Sequence, residues 1–194
     1  MRVVKLFLRL LGVCLIASGF WWAWHNISEA KAAANASLTI ENQLEQVSTQ
    51  DKTGSEDGEM AVGTVDGTDY IGTIEIPAIG IKLPVAANYS FEQMSLTPTR
   101  YAGSFYTNDL VICAHNYPYH FDSLKSIAMG SEVILTTTNG QTYHYIITNR
   151  ETIEPTAVDQ VFKDTATDTD WDLSLFTCTP AGLARVLVRC SLVK

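Results

Sequence analysis

Cysteine is scarce in this chain and widely scattered. The four present, at positions 14, 113, 178 and 190, include no CxxC pair, which excludes a zinc site built on paired thiolates and a dense disulfide framework. Histidine is equally sparse, at 25, 115, 120 and 144, so acid–base chemistry near neutral pH has few places to reside. Basic charge is also short. Thirteen Lys and Arg against 21 Asp and Glu leave a net charge of −8, which argues against a general surface for nucleic acid or anionic lipid. No segment of the sequence repeats.

What the chain does have is concentrated near its two ends. Leu10 to Trp24 is a run of fifteen residues without a charge, and Val3 to Trp24 is apolar apart from Lys5 and Arg9. As a helix, Leu6 to Trp24 spans roughly 28 Å at about 1.5 Å per residue, close to the hydrocarbon thickness of a bilayer. Lys5 and Arg9 can snorkel to the inner face, while Trp21, Trp22 and Trp24 suit the outer interface. The positive-inside rule then puts 1–5 in the cytoplasm, 6–24 in the membrane and the remainder outside. The alternative is a cleaved signal peptide, with the small residues Ala32 to Ala36 as its cleavage region. Those lie well past the apolar run, so a retained single-pass anchor is expected.

Residues 25–68 read as an extracytoplasmic tether. Ile27 to Gln50 is polar and alanine-rich, with enough helix formers for a short juxtamembrane helix, and Thr53 to Thr68 is small and polar enough to be flexible. The folded domain is expected over 69–194, roughly 126 residues, which suffices for one hydrophobic core. Its pattern is one of short strands separated by turn residues. Tyr70 to Ile76 and Ile81 to Val85 flank the turn Pro77 to Gly80. Leu110 to Ala114, Glu132 to Thr137, Thr142 to Asn149, Leu173 to Thr177 and Ala184 to Leu192 follow. Asn139-Gly140 is a hairpin signal, and Phe121 to Ile127 fits one short helix. So many short strands imply a mainly β domain, closed barrel or sandwich.

The chemistry-bearing segment is Ser174 to Leu183, SLFTCTPAGL, followed at once by Ala-Arg-Val-Leu-Val-Arg. It places Cys178 at the end of one apolar run and Arg185 on the next. A thiol at a strand end beside a fixed cation is what a cysteine nucleophile needs, because positive charge favours the thiolate. Its partner would be a histidine. His25 belongs to the anchor region, and His144 alternates with Tyr143 and Tyr145 inside a strand. His115 ends the run Leu110 to Ala114 and opens a loop, a strand-end setting like that of Cys178. His120 is the runner-up, five residues on.

Three separated blocks, in order, resemble the sortases, the membrane-anchored cysteine transpeptidases of Gram-positive bacteria. Tyr70-Ile-Gly-Thr-Ile-Glu-Ile-Pro-Ala-Ile-Gly-Ile-Lys-Leu-Pro-Val85 resembles the family's opening strands. Ala114-His115-Asn116 with Phe121-Asp-Ser-Leu124 resembles its histidine block, and Leu175-Phe-Thr-Cys178 with Arg185 resembles its TLxTC…R block. The resemblance implies a closed sortase-type β-barrel of about eight strands with one or two short helices, behind the N-terminal transmembrane helix. It makes Cys178 the nucleophile, His115 the general acid and base, and Arg185 the arginine that steadies substrate and oxyanion. Thr177 would orient substrate or support the oxyanion. Arg189 lies on the same strand face as Arg185, but Arg185 heads the family's Arg-x-x-Val pattern, leaving Arg189 a supporting or surface role.

The implied reaction is a pair of acyl transfers. The thiolate attacks a carbonyl in the C-terminal sorting motif of a surface protein, and a peptidoglycan precursor or other amine then resolves the thioester. The implied partners are therefore that surface protein, that amine, and the membrane through the N-terminal helix, with no nucleic acid. The short Cys-to-Arg segment, and the lack of an Asp-Pro-aromatic lid ahead of the barrel, lean toward class B or class D. Acidic loop residues that hold calcium in one class find no match here, so no metal or cofactor is expected. Cys113 should face the core or away from the groove's reactive edge. A Cys113–Cys190 disulfide is disfavoured, because in the sortase barrel the Cys178 strand lies between those two. The groove loops would be Ser90 to Tyr101 and Ile153 to Asp170. Rival readings are a tethered cysteine peptidase that only hydrolyses, or a non-catalytic wall-binding barrel.

Overall fold

A computed structural model describes residues 2–48, 60–163 and 171–193. Of the expected flexible segment Thr53 to Thr68, residues 53–59 lie outside the described residues, as do the groove-loop residues 164–170.

Nine strands form one sheet: β1 (Gly63–Val65), β2 (Thr68–Ile76), β3 (Ile81–Ala86), β4 (Thr99–Ala102), β5 (Leu110–Cys113), β6 (Glu132–Thr137), β7 (Thr142–Ile153), β8 (Leu173–Cys178) and β9 (Arg185–Leu192). Their spatial order is β1-β2-β3-β4-β5-β8-β9-β7-β6, and pairing of β2 with β6 closes β2–β9 into an eight-stranded barrel. The Pro77–Ile79 turn joins β2 to β3 and ends at Gly80, whose left-handed φ of 66° brings its N–H onto the Pro77 carbonyl at 3.1 Å. The expected Asn139-Gly140 turn joins β6 to β7, with Gly140 N–H donating to the Thr137 carbonyl at 2.9 Å. Two parallel pairings, β3 with β4 and β5 with β8, need longer crossovers. The first carries the one-turn helix α2 (Phe91–Met94), and the second carries the β6–β7 hairpin.

Alternation sorts the side chains. Leu110, Ile112, Leu173, Leu175, Val186, Val188 and Cys190 point into the barrel with Ile71, Ile74, Leu135 and Tyr145. The opposite parity, Val111, Phe176, Leu187 and Ile153, forms a second apolar cluster on the outer face beneath Val158 and Val161. Strand β4 was not anticipated, since Thr-Arg-Tyr-Ala carries little apolar alternation. Residues Phe121 to Ile127 form a 3-10 turn over Asp122–Ser126, and β7 runs on to Ile153 past a register shift between Ile147 and Asn149.

The anchor region is one helix, α1 (Arg2–Ser48), of 47 residues. Its apolar N-terminal part is exposed and long enough to cross a membrane. Beyond Trp24 no Pro or Gly interrupts it, and the alanine-rich stretch favours continuation. Ala30, Ala33, Ser37 and Leu44 are buried, a spacing of three, four and seven that makes one stripe along the helix. Leu44 packs with Val65, Tyr70 and Ala86, Glu41 pairs with Lys82 at 2.7 Å, and Ser37 donates to the Leu96 carbonyl at 2.8 Å. Helical structure therefore occupies 25–48 and lies against the barrel, and β1 begins the sheet ahead of residue 69.

Barrel closure depends on Gly72. It sits at φ 150°, and a Cβ there would collide with the Thr136 carbonyl of β6. Gly72→Ala is expected to lower stability by about 2 kcal/mol or more. Chemical denaturation in detergent micelles measures this, and an unchanged midpoint would show that the β2–β6 seam can relax.

Candidate active site

Three strand ends meet at one edge of the barrel. Antiparallel pairing of β8 with β9 sets Cys178 directly opposite Arg185, so both side chains share the outer face. Parallel pairing of β5 with β8 runs from Leu110↔Leu173 to Cys113↔Phe176. Continued by two residues, that register brings His115 level with Cys178 on the same face. Two contacts extend it: Ala114 N–H donates to the Phe176 carbonyl at 3.3 Å, and Thr177 Oγ1 donates to the Ala114 carbonyl at 2.8 Å. The β8–β9 turn is tied by Thr179. Its N–H donates to the Ala184 carbonyl at 3.0 Å, and its Oγ1 accepts from the Ala184 N–H at 2.9 Å.

Thr177 is of the opposite parity and 2 % exposed. With its hydroxyl committed to Ala114, it aligns the His115 strand with the Cys178 strand. Arg185 Nη1 donates to the Gly182 and Ala184 carbonyls at 3.1 and 3.0 Å. Arg189 is engaged elsewhere. It pairs with Glu151, donates to the Gln160 carbonyl at 3.1 Å, and lies 4.5 Å over the Trp171 ring. Among the two arginines of β9, Arg185 alone faces Cys178.

Cys178 and Arg185 line a cleft of about 180 Å³ whose walls include Tyr89, Met94, Tyr101, Val158 and Phe176. Cys113 is there too, which corrects the expectation that it faces the core or away from the groove. Its parity places it on the outer face with Val111, at the cleft floor. It is 1 % exposed, its Sγ lies 3.3 Å from Thr99 Oγ1, and burial pushes its thiol up to about 11. Cys190 lies inside the barrel, where burial also raises its thiol. The two buried thiols sit on opposite faces with β8 between their strands, and both are free. Cys178 is free and half-buried. A second cleft, between α1 and the barrel, is lined by Glu41, Lys82 and Thr137 and has neither thiol nor imidazole.

His115 is half-buried between aromatic rings, with Phe91 edge-on at 5.5 Å and Tyr117 stacked at 4.9 Å. Burial pulls its pKa below the ordinary histidine value, and Glu29 of α1 works in the opposite direction. His120 lies 5.6 Å from the Tyr117 ring, fully buried. Burial first and His115 second bring it down to about 4, so it is neutral under physiological conditions. His144 pairs with Glu132 at 2.7 Å on β6 and β7, and His25 stacks on Trp21. Of the four histidines, only His115 adjoins the Cys178 strand end.

The expected groove loop Ser90 to Tyr101 contains Phe91 and Ser95 without singling them out, and Tyr89 lies one residue ahead of it. The signal was available, because Ser90 followed by Gln93 is a capping pattern, and Ser90 Oγ does accept the Gln93 N–H at 3.0 Å. Tyr89 lies within electrostatic reach of both Cys178 and Arg185. Among the described residues, no group of three His, Cys, Asp or Glu is placed to hold a metal ion.

A family model for the sortase domain matches residues 74–193. The chain belongs to the sortase family and is a cysteine transpeptidase by that membership. Solved sortases share the fold. The sortase D5 transpeptidase of Clostridium perfringens is 20 % identical with a TM-score of 0.62, covering 80 % of this chain and 99 % of its own. Sortase C of Streptococcus pneumoniae is 22 % identical, with a TM-score of 0.58 and coverages of 86 % and 89 %. Sortase C1 of Streptococcus suis is 26 % identical, with a TM-score of 0.54 and coverages of 64 % and 73 %. No curated protein matches the chain in sequence.

Two thiols in one cleft make a direct test. In a Cys14→Ala background, brief treatment of the folded protein with iodoacetamide is expected to modify Cys178, leaving Cys113 and Cys190 protected until denaturant is added. Peptide mass spectrometry reads the outcome, and modification of Cys113 ahead of Cys178 would reverse the assignment.

Proposed function

We propose that Cys178 is the nucleophile, His115 the general acid and base, and Arg185 the oxyanion donor of an extracytoplasmic sorting reaction. The reading is carried by one observation: the two strand pairings that set Cys178 opposite Arg185 and level with His115. Its topology is 1–5 cytoplasmic, 6–24 spanning the membrane and the barrel outside. Support comes from the apolar helix, the basic residues ahead of it and the tryptophans at its outer end.

In the first step Cys178 Sγ attacks the scissile carbonyl of a C-terminal sorting motif, and its proton passes to His115. Burial favours the neutral imidazole, which leaves the ring free to accept that proton. The planar guanidinium of Arg185, now on carbonyls of its own turn, turns to donate to the tetrahedral oxyanion. Collapse breaks the C–N bond, His115 returns the proton to the leaving amine, and a thioester on Cys178 remains. An incoming amine, from a peptidoglycan precursor or another acceptor, attacks that thioester and gives its proton to His115. A new amide forms and the thiol is regenerated. Water in place of the amine gives hydrolysis, so the supply of amine decides between transfer and cleavage. A short Cys-to-Arg turn, closed here by Thr179 and Ala184, supports a class B or class D type.

Incubation of a sorting-motif peptide with and without an added amine tests the reading, with products identified by mass spectrometry. Amine-linked product and a Cys178 acyl-enzyme are expected. Hydrolysis alone at every amine concentration would identify a peptidase instead. Cys178→Ala and His115→Ala are expected to abolish turnover. Arg185→Lys should lower kcat by about a hundredfold or more, since lysine lacks the planar fork. Retained function in Cys178→Ala would favour a non-catalytic wall-binding barrel.

A further inference from the structure

The segment that closes α2 connects the anchor helix to His115. Ser95 ends α2, and its hydroxyl donates back to the Phe91 carbonyl at 3.1 Å. With its hydrogen directed there, the Ser95 oxygen is left to accept from its other neighbour, His115 Nε2, at 3.4 Å. An acceptor at Nε2 requires the hydrogen on that nitrogen, which leaves Nδ1 as the nitrogen that exchanges a proton. Among the described residues no carboxylate or amide side chain hydrogen-bonds the ring. Of the charged and titratable groups, Glu29 of α1 acts on the ring and Tyr117 and His120 lie beside it on its own loop, while the strand register puts Cys178 and Arg185 at the neighbouring strand ends. The Phe91 and Tyr117 rings restrict tilt but say nothing about where the proton sits. Ser95 supplies that information.

Ser95 is itself held from the far side. The next residue, Leu96, presents its carbonyl to Ser37 Oγ of α1 at 2.8 Å. Ser37 is 1 % exposed, so this hydrogen bond lies inside the helix–barrel contact. The order of contacts is α1, Leu96, Ser95, His115.

We propose that Ser95 is a positioning residue that holds His115 as its Nε2–H tautomer, and that the anchor helix keeps Ser95 in place through Ser37 and Leu96. This rests on His115 as the acid and base of the reaction, yet the tautomer can be read without turnover. The test uses the full chain in detergent micelles, with Ser95→Ala, Ser95→Thr and Ser37→Ala. Steady-state kinetics with a sorting-motif peptide and nitrogen-15 NMR of the imidazoles, assigned by single histidine substitutions, are the two readouts.

Ser95→Ala is expected to lower kcat about fivefold to tenfold, the worth of one hydrogen bond, with KM unchanged and the His115 tautomers mixed. Ser95→Thr should restore both, and Ser37→Ala should shift both in the direction of Ser95→Ala by a smaller factor. Wild-type kcat and an undisturbed Nε2–H signal in Ser95→Ala would overturn the role of Ser95. So would a Ser95→Thr protein that melts normally but behaves like Ser95→Ala. Wild-type kcat and tautomer in Ser37→Ala would overturn the anchor's part. Full activity in His115→Ala would instead overturn the catalytic reading of His115, with the NMR arm still deciding whether Ser95 sets the tautomer.

Discussion

The register of three neighbouring strands is the constraint on which the site depends. β8 lies between β5 and β9, and the pairing on each side fixes which residues stand level at the strand ends. A slip of one residue in β8 would turn Cys178 into the barrel and Leu173 and Leu175 out of it. A matching slip in β9 would expose Val186 and Val188. Each of these side chains contributes about 1.5–3 kcal/mol by burial, so four of them together approach the whole net stability of a domain, about 5–15 kcal/mol. The apolar interior thus sets the positions of polar groups it never touches. Thr177 and Thr179 complete the alignment, one tying β8 to the start of the His115 loop and the other closing the turn to β9.

Placement, rather than residue type, separates the roles of like residues. Cys113 and Cys178 line one cleft, but Cys113 lies under it, where desolvation disfavours the thiolate. Arg185 and Arg189 share a strand face, but four residues move Arg189 away from Cys178 and over Trp171, where it ties Glu151 and the Gln160 carbonyl together. That arrangement braces the segment whose Val158 forms part of the cleft wall. His115 and His120 differ in the same way: both adjoin Tyr117, but His120 is fully buried and His115 only half-buried.

Much of this was legible in the sequence. Period-two alternation gave the strands of the barrel interior, and the block order around His115, Cys178 and Arg185 pointed to the family. The illegible parts have physical reasons. β4 pairs through its backbone while its side chains are mixed, so no alternation marks it. Cys113 departs from the side expected for it because a four-residue strand buried on both faces shows no contrast between them. The contribution of α1 was hidden because its buried stripe is built of Ala30, Ala33 and Ser37, residues small and polar enough to read as tether. Burial there depends on close approach to the barrel, which hydropathy does not register.

That stripe changes what the N-terminal segment does mechanically. A flexible tether would let the barrel take any orientation relative to α1, whereas a continuous helix packed along its side holds the two together. With 6–24 spanning the membrane as proposed, Glu29 follows Trp24 by five residues, a rise of about 7.5 Å. The charge of Glu29 reaches both His115 and Tyr117. Further along, Ser37 meets the end of α2 and Leu44 meets β1 and β2, so contacts climb the barrel as the helix leaves the bilayer. On that proposed topology the His115 end is the membrane-proximal end. A sorting motif that precedes a hydrophobic stretch is itself confined to that height. On the proposed topology, the helix that crosses the membrane also carries the contacts that hold the proposed catalytic edge at its bilayer end.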